Sequence, residues 1–567
     1  MNTLEFLFSA KAARLFLPAV LALFPPLLPA RSSPAAPPGE GLPVEVTAGW
    51  AVLQGGRLKP LDTFARDTVL ALSGRKSMEG MTPLRILWGF HFSGKWFRSR
   101  PWIRVDSREL KAAVGLDPSK RRYSYEELLG NERFRKIVDR CLSAHARKEA
   151  HSRLEDDALE VYEKLRLVKS LDREGGAFRI VPPRPGDSEW RTPKELEKPA
   201  TPGEEQVRRA YLALASAWSR GDAGGFLAAA KELSAALPRV NPGAYPSRSK
   251  LDLELFYNRL SPFFWAWILY LLAFLSFTLL AYFKPGPGGI AGNVFLSGGF
   301  LLHTGGVALR WIIGGRAPLA NMYESLVFMG WAVIALGLVM GFLYRKRVFP
   351  AAASVLGLLS LVFAENLPLD SSINPLLPVL AHTYWLSLHV ITVMISYSAF
   401  ALAMGLGHVV LGAMVFKPEK TDLTRSFSRL IFKTTQVGLL FLAAGIVTGA
   451  VWANQSWGRY WGWDPKETWS LITFFIYLLL VHARFAGWIK DFGLALFSIL
   501  GFLGVLMTYY GVNFVLGTGL HSYGAAEGGL LYVSLFVALE LLAVGGAFLA
   551  VRRRKAGVVA REGKASS

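Results

Sequence analysis

The chain of 567 residues is 52% hydrophobic, has a mean hydropathy of +0.31 and carries a formal charge of +21, which is too apolar for a soluble protein of this size and charge. The basic excess gathers in short runs beside apolar stretches, such as Arg345–Arg347 and Arg552–Lys555, so it marks cytoplasmic loops and excludes a nucleic-acid surface. One cysteine, Cys141, excludes an intramolecular disulfide or a CxxC redox pair within the chain. Thiol chemistry, if it is needed, then comes from a partner.

Lys11 and Arg14 precede the apolar run Leu15–Ala30, which makes residues 1–30 a signal peptide or an N-terminal anchor. A Pro/Ala-rich linker, RSSPAAPPGE, opens residues 31–250, which hold no apolar run of span length and are expected to form a mainly helical extracytoplasmic domain. Within it, WAVLQGGRLKPLDTFARDTVLAL predicts a strand pair turning at Gly55-Gly56 and then a helix capped by Asp62. Charged helices are expected across Tyr125–Leu171, a Pro-rich loop from Val181 to Pro202, and a helical hairpin turning at Gly221 to Gly225. His91, His145 and His151 have no ligand-like partners there, which fits surface or locally hydrogen-bonded histidines.

After Leu260 come nine runs of about 20 apolar residues, the length that crosses a hydrocarbon core of about 30 Å. They cover Pro262–Phe283, Ile290–Ile313, Tyr323–Tyr344, Phe349–Leu367, Leu386–Phe416, Ile431–Trp452, Trp469–Phe485, Leu494–Val515 and Gly528–Val551. The fold class expected is an all-α polytopic membrane protein, a bundle of about nine spans following the N-terminal segment and the helical domain. If the spans alternate, Lys284, Arg345–Arg347, the Lys417–Lys433 loop, Arg484 with Lys490, and Arg552–Lys555 share one side, the cytoplasm. Residues 552–567 then form a basic cytoplasmic tail. The loops GGRAPLANM, Pro368–Trp385, Ala453–Thr468 and Leu516–Glu527 face outward, as does the N-terminal domain.

The third of these loops runs into WGRYWGWDPKETWSLITFF, with Trp457, Trp461, Trp463 and Trp469 around Asp464-Pro465-Lys466-Glu467. An interfacial aromatic belt is the plain explanation of such residues. Four tryptophans in thirteen residues, interleaved with a charged turn, call for a flat aromatic surface instead. His389 and His521 fall at the same side. A haem iron takes axial imidazoles on opposite porphyrin faces, so ligands from two loops beside a tryptophan floor would form a clamp. His382 competes as a ligand on this side. Arg310, Arg316, Arg459 and Lys466 are outward cations suited to haem propionates.

The tryptophan-rich segment resembles the WWD signature of haem-handling proteins. With RWIIGGRAPLANMYESLVF, WLSLHVITVMISYSAF and GVNFVLGTGLHSYG, the chain from Leu251 to Val551 resembles the CcsA/ResC family of system II cytochrome c biogenesis, with the WWD loop at 453–468. The segment ahead of it resembles only the GRxKPLDTFAR region that precedes some CcsA domains. This resemblance implies a bacterial cytoplasmic-membrane protein that takes haem b as cargo and serves as one subunit of a cytochrome c haem lyase. His389 and His521 would be the outward haem ligands and His482 an inner one, with Trp457, Trp461, Trp463, Asp464 and Trp469 as the porphyrin-binding loop. The second inner ligand stays open among His408, His303 and a partner residue. The implied partners are a separate CcsB/ResB-type subunit, apocytochrome c, a thiol-reducing pathway and membrane lipid. A haem exporter without ligation activity shares these residues. An ion-coupled transporter does so poorly, because only Glu540 lies deep in a span.

Overall fold

The computed structural model describes residues 37–147, 152–367, 369–375, 384–516 and 530–565. These residues fall into two compact units, one ending at Leu260 and the other beginning at Ser261.

In the first unit, strands β1 (Ala51–Gln54) and β2 (Arg57–Pro60) pair antiparallel with Ala51 opposite Pro60. Gly55 and Gly56 supply the two positive φ angles that a two-residue turn requires. Helix α1 (Leu61–Ser73) follows β2 without a break, so its N-cap is Pro60 and not Asp62. Asp62 sits in the first turn instead, where its carboxylate accepts from Arg66 at 2.7 Å and from Asn258 at 3.0 Å. Helices α2 (Pro83–Phe92) and α3 (Arg153–Leu171) pack on this layer. The expected hairpin is formed by α4 (Pro202–Arg220) and α5 (Ala223–Val240). It turns at Gly221 and Asp222, because the Asp222 side chain caps Gly225 and draws Gly224 and Gly225 into α5. The core centres on Trp88, which meets Trp50 edge-on at 5.8 Å and donates to Thr47 at 2.9 Å.

His91 is neither a surface residue nor locally bonded. It is buried, with Nδ1 2.9 Å from the Leu171 carbonyl and Nε2 2.6 Å from the Tyr211 hydroxyl. Burial pushes its pKa down from the ordinary 6.5 to about 4, so between those values the unfolded chain binds the proton and the folded chain does not. The stability His91 contributes is complete above pH 6.5 and is lost as pH falls to about 4, a swing of roughly 3 kcal/mol. Amide protection in α2 and α3, corrected for intrinsic exchange, should follow this slope in the full chain. The slope should vanish in His91→Phe. Backbone around His145 is helical, and His151 lies outside the described residues.

Eight helices among the described residues of the chain are long and apolar enough to cross a membrane, and the protein is a multi-pass membrane protein. In the second unit the helices are α6 (Pro262–Leu275), α7 (Pro285–Gly314), α8 (Met322–Tyr344), α9 (Val348–Asn366), α10 (Tyr384–Phe416), α11 (Thr421–Trp457), α12 (Pro465–Phe485), α13 (Asp491–Leu506) and α14 (Leu530–Ala565). The run expected at Ile290–Ile313 is the 30-residue α7, which is not among the eight. Its glycines serve packing. A Cβ at Gly306, Gly299 or Gly292 would come within 2.6–2.7 Å of Phe263, Tyr270 or Phe277. The aromatic series and the glycine series each advance by seven residues, two helical turns, in opposite directions. The ring of each aromatic therefore fills the gap left by one glycine, which lets the helices approach closely where the membrane provides no hydrophobic drive.

The last helix, α14, continues through the basic segment to Ala565. Two polar contacts pin it to α10. Glu540 meets His408 Nε2 at 2.8 Å, and Arg554 donates to the terminal carbonyls of Met414 and Val415 at 3.0 and 2.9 Å.

Candidate functional site

At the end of the bundle where α10 and α12 begin and α11 ends, a cavity of about 460 Å³ opens, within the 300–1,000 Å³ usual for ligand pockets. Its wall is mostly apolar, with Val390, Val393, Met394, Leu442 and Ile446 from α10 and α11. The polar and aromatic part of the lining includes His389, Trp452, Tyr460, Trp461, Lys466 and Arg316. Beyond α13 the backbone widens into a π-helical stretch, Met507–Leu516, a form frequent at functional sites. This stretch carries Tyr509 and Asn513 to the cavity, where Tyr509 shares a hydrogen bond with Ser325 at 2.8 Å and Asn513 accepts from Lys466 Nζ at 3.1 Å.

His389 is held by α11. Its Nδ1 lies 2.7 Å from the carbonyl oxygen of Gly445. A carbonyl only accepts, so Nδ1 carries the proton, and in the neutral ring the lone pair is on Nε2. The imidazole lies parallel to the buried Trp452 ring, at 6° and 6.5 Å between centroids.

The tryptophan loop owes its shape to a reciprocal cap. Asp464, 6% exposed, is the N-cap of α12, its side chain accepting from the Lys466 amide at 2.9 Å. Glu467 reaches back to accept from the amides of Gly462 at 2.8 Å and Asp464 at 3.2 Å. That grip holds Trp463 in left-handed backbone, φ 57°, a conformation costing on the order of 1–3 kcal/mol for a side chain of this kind.

The structure separates the tryptophans that were grouped by sequence. Trp461 lines the cavity, whereas Trp463 meets it edge-on at 5.8 Å and stands 70% exposed. Trp457 packs against Trp452 at 4.7 Å, and the Trp469 carbonyl accepts from Thr508 at 3.1 Å. Neither Trp457 nor Trp469 belongs to the cavity lining, and Asp464 acts on the loop through its cap. Trp452, Tyr509 and Asn513 are lining residues that sequence patterning did not pick out.

The four cations expected near the haem propionates part in the same way. Arg310, 2% exposed, donates to Glu324 at 2.9 Å and to the Ser371 carbonyl at 3.0 Å, so it braces the bundle away from the cavity. The Arg459 guanidinium lies against Gly462. Arg316 and Lys466 remain in the lining.

His521 and His382 lie outside the described residues. His482 is exposed on α12, with Nδ1 2.8 Å from the Leu478 carbonyl, and stands seventeen residues beyond Pro465, about 25 Å along the helix axis. His303 is closed off, its two nitrogens meeting the Tyr270 hydroxyl and the Val327 carbonyl, each at 3.0 Å. His408 sits between the Met404 carbonyl at 2.9 Å and the Glu540 carboxylate at 2.8 Å.

Residues 319–521 match the family model for the cytochrome C assembly protein. CcsA, the cytochrome c biogenesis protein of Synechococcus sp. (strain CC9902), is 35% identical over 40% of this chain and 83% of its own. CcsA of Prochlorococcus marinus subsp. pastoris is 36% identical over 38% of this chain and 77% of its own. Protein NrfI of Wolinella succinogenes is 34% identical over 83% of this chain but only 53% of its own length, so the chain spans about half of NrfI. That alignment runs to 495 residues, more than the membrane unit contains, and so takes in part of the N-terminal unit. The solved Cytochrome c Heme Lyase CcmF overlaps 53% of this chain and 51% of that chain at 17% identity, with a TM-score of 0.38, too loosely to bear on function. The cavity's His389, Trp452, Trp461 and Lys466 all fall inside the matched region, and the chain belongs to the cytochrome c assembly protein family that includes CcsA and NrfI, with an additional N-terminal unit ahead of the family region.

Proposed function

We propose that this chain binds haem b as cargo in the cavity at His389, carries it across the cytoplasmic membrane, and presents it to apocytochrome c as the CcsA subunit of a haem lyase. The observation that carries this reading is His389 itself. Its tautomer is fixed by the Gly445 carbonyl, which puts the lone pair on Nε2, and it stands in the wall of an apolar, tryptophan-lined cavity. An imidazole, an aromatic wall and two cations, Lys466 and Arg316, are the donor set suited to an iron, a flat macrocycle and its propionates. The porphyrin brings the vinyl groups that become thioethers with the CxxCH thiols, and this chain's residues position and shield it. His521 is the proposed ligand on the opposite face.

His482 is the proposed inner ligand. It lies about 25 Å along α12 from Pro465, near the far side of a hydrocarbon core. The engaged nitrogens of His303 and His408 favour a second inner ligand supplied by the separate CcsB/ResB-type partner over either of these residues. The Lys/Arg runs support a topology in which the cavity and the N-terminal unit face away from the cytoplasm, where a thiol-reducing pathway would keep the apocytochrome cysteines available.

Trp461 and Trp463 test this reading as a pair. An aromatic contact is worth about 0.5–1.5 kcal/mol beyond its burial, so Trp461→Ala should lower haem retained by the purified protein by about two- to tenfold. Trp463→Ala should leave it near the wild-type level. Equal effects, or none, would return the loop to an interfacial belt.

A further inference from the structure

We propose that Gly445, Gly449 and Trp452 of α11 form a dedicated seat for the His389 ring, with Gly449 as a positioning residue that sets the imidazole's placement by leaving room for it. The functional side of this inference rests on the haem reading above, but the seat does not.

Three observations meet at one ring. The Gly445 carbonyl takes the Nδ1 proton at 2.7 Å. A Cβ at Gly449 would lie 2.7 Å from both Nδ1 and Cε1 of His389 and 3.3 Å from Nε2, distances that force the ring or the helix to move. The Trp452 ring runs parallel to the imidazole at 6°. Positions 445, 449 and 452 advance by four and three residues, so they share one face of α11. A carbonyl at the first, a gap at the second and a flat wall at the third bound the ring on three sides.

The surroundings show that the gap has a local purpose. Gly438, eleven residues or about three turns before Gly449 on α11, meets Phe400, its Cβ direction leading to 2.5 Å from that ring, while Ser396 donates to the Gly438 carbonyl at 2.7 Å. That contact is ordinary close packing of α10 on α11. At Gly449 the neighbour is the imidazole instead, at the cavity wall. The Gly445 carbonyl also accepts from Thr448 at 3.1 Å, which orients it without displacing the shorter bond from His389. Metal-binding histidines are usually oriented by a partner on the other ring nitrogen, and losing such a partner typically costs about 10–100-fold in affinity or activity. Here the partner is backbone, so no side-chain substitution removes it, and the glycine next to it is the point where the seat can be broken.

The test uses the full chain in detergent, carrying ¹⁵N-labelled histidine, with His389→Gln to assign the His389 signals. The wild-type ring should give the neutral Nδ1–H tautomer as a single sharp signal set. Gly449→Ala, at unchanged helical content, should shift or broaden those signals and leave the other histidines alone. Should that variant fail to assemble, Trp452→Leu removes the wall instead and should likewise disturb only His389. Unchanged His389 signals in an assembled variant overturn the seat. A second arm titrates the same proteins with haemin. Gly449→Ala should bind it about tenfold more weakly, with a shifted absorption band, and added free imidazole should restore the wild-type spectrum. If the spectra show that wild-type His389 takes no part in haemin binding, the haem reading fails, while the nitrogen signals still decide whether the seat exists.

Discussion

His389→Ala should abolish cytochrome c maturation while leaving the protein assembled in the membrane. Losing an outer hydrogen-bond partner alone costs a metal site about 10–100-fold, so losing the ligand should cost at least as much. When the variant is co-expressed with a CcsB-type partner and an apocytochrome, covalent cytochrome should fall to a tenth of wild type or below. Assembly should survive, because His389 is only half-buried and its bond to the Gly445 carbonyl joins a helix pair that keeps many other contacts. His145→Ala, in the N-terminal unit, should mature cytochrome normally. The yield is read as haem-stained cytochrome against the membrane level of each variant. Full maturation by His389→Ala would remove the cavity from the mechanism.

Glu324→Gln should be the most damaging single change to the bundle. The carboxylate is 1% exposed and takes Arg310 at 2.9 Å, Arg316 at 2.7 and 3.3 Å, and the Ala320 amide at 2.8 Å. Arg310 in turn holds the Ser371 carbonyl and Arg316 the Asn374 carbonyl, so one acidic side chain ties together two loops that contribute to the cavity wall. Removing one partner of a buried ion pair typically costs about 3–5 kcal/mol, because the charge left behind stays buried and uncompensated. Thermal unfolding in detergent should shift down sharply, and haem retention should fall with it as Arg316 loses its brace. Arg316→Lys should be milder, since one cation still faces the carboxylate. A Glu324→Gln variant as stable as wild type would mean that the network is not a brace.

Much of this was legible in the sequence, for identifiable reasons. Apolar runs announce membrane helices because the bilayer demands length and hydropathy, and the eight such helices among the described residues correspond to eight of the nine runs. Ile290–Ile313 formed the expected helix, but its glycines serve the rings of Phe263, Tyr270 and Phe277, and packing need is not the same signal as hydropathy. The tryptophan loop stood out by composition. Its division into Trp461 at the cavity and Trp463 in the open did not, because that depends on one left-handed residue fixed by the Asp464–Glu467 cap. Arg310 and Arg316 look alike as cations in the sequence, and what distinguishes them is Glu324, fourteen and eight chain positions away, which both meet. The burial of His91 is hidden for a related reason, its partners Leu171 and Tyr211 being brought in by distant helices. The Gly445, Gly449 and Trp452 spacing was visible in AAGIVTGAVW, yet a helix face has no meaning until the residue it faces is known.

Haem ligation by His389 can be read from the optical and electron paramagnetic resonance spectrum of haem bound to the purified full chain, compared between wild type and His389→Gly with and without added imidazole. Wild type should show haem with histidine axial ligation, His389→Gly a changed iron spin state and weaker retention, and free imidazole filling the space left by the side chain should return the wild-type spectrum. A His389→Gly protein that holds haem as tightly as wild type, with the same spectrum and no response to imidazole, would contradict ligation by His389.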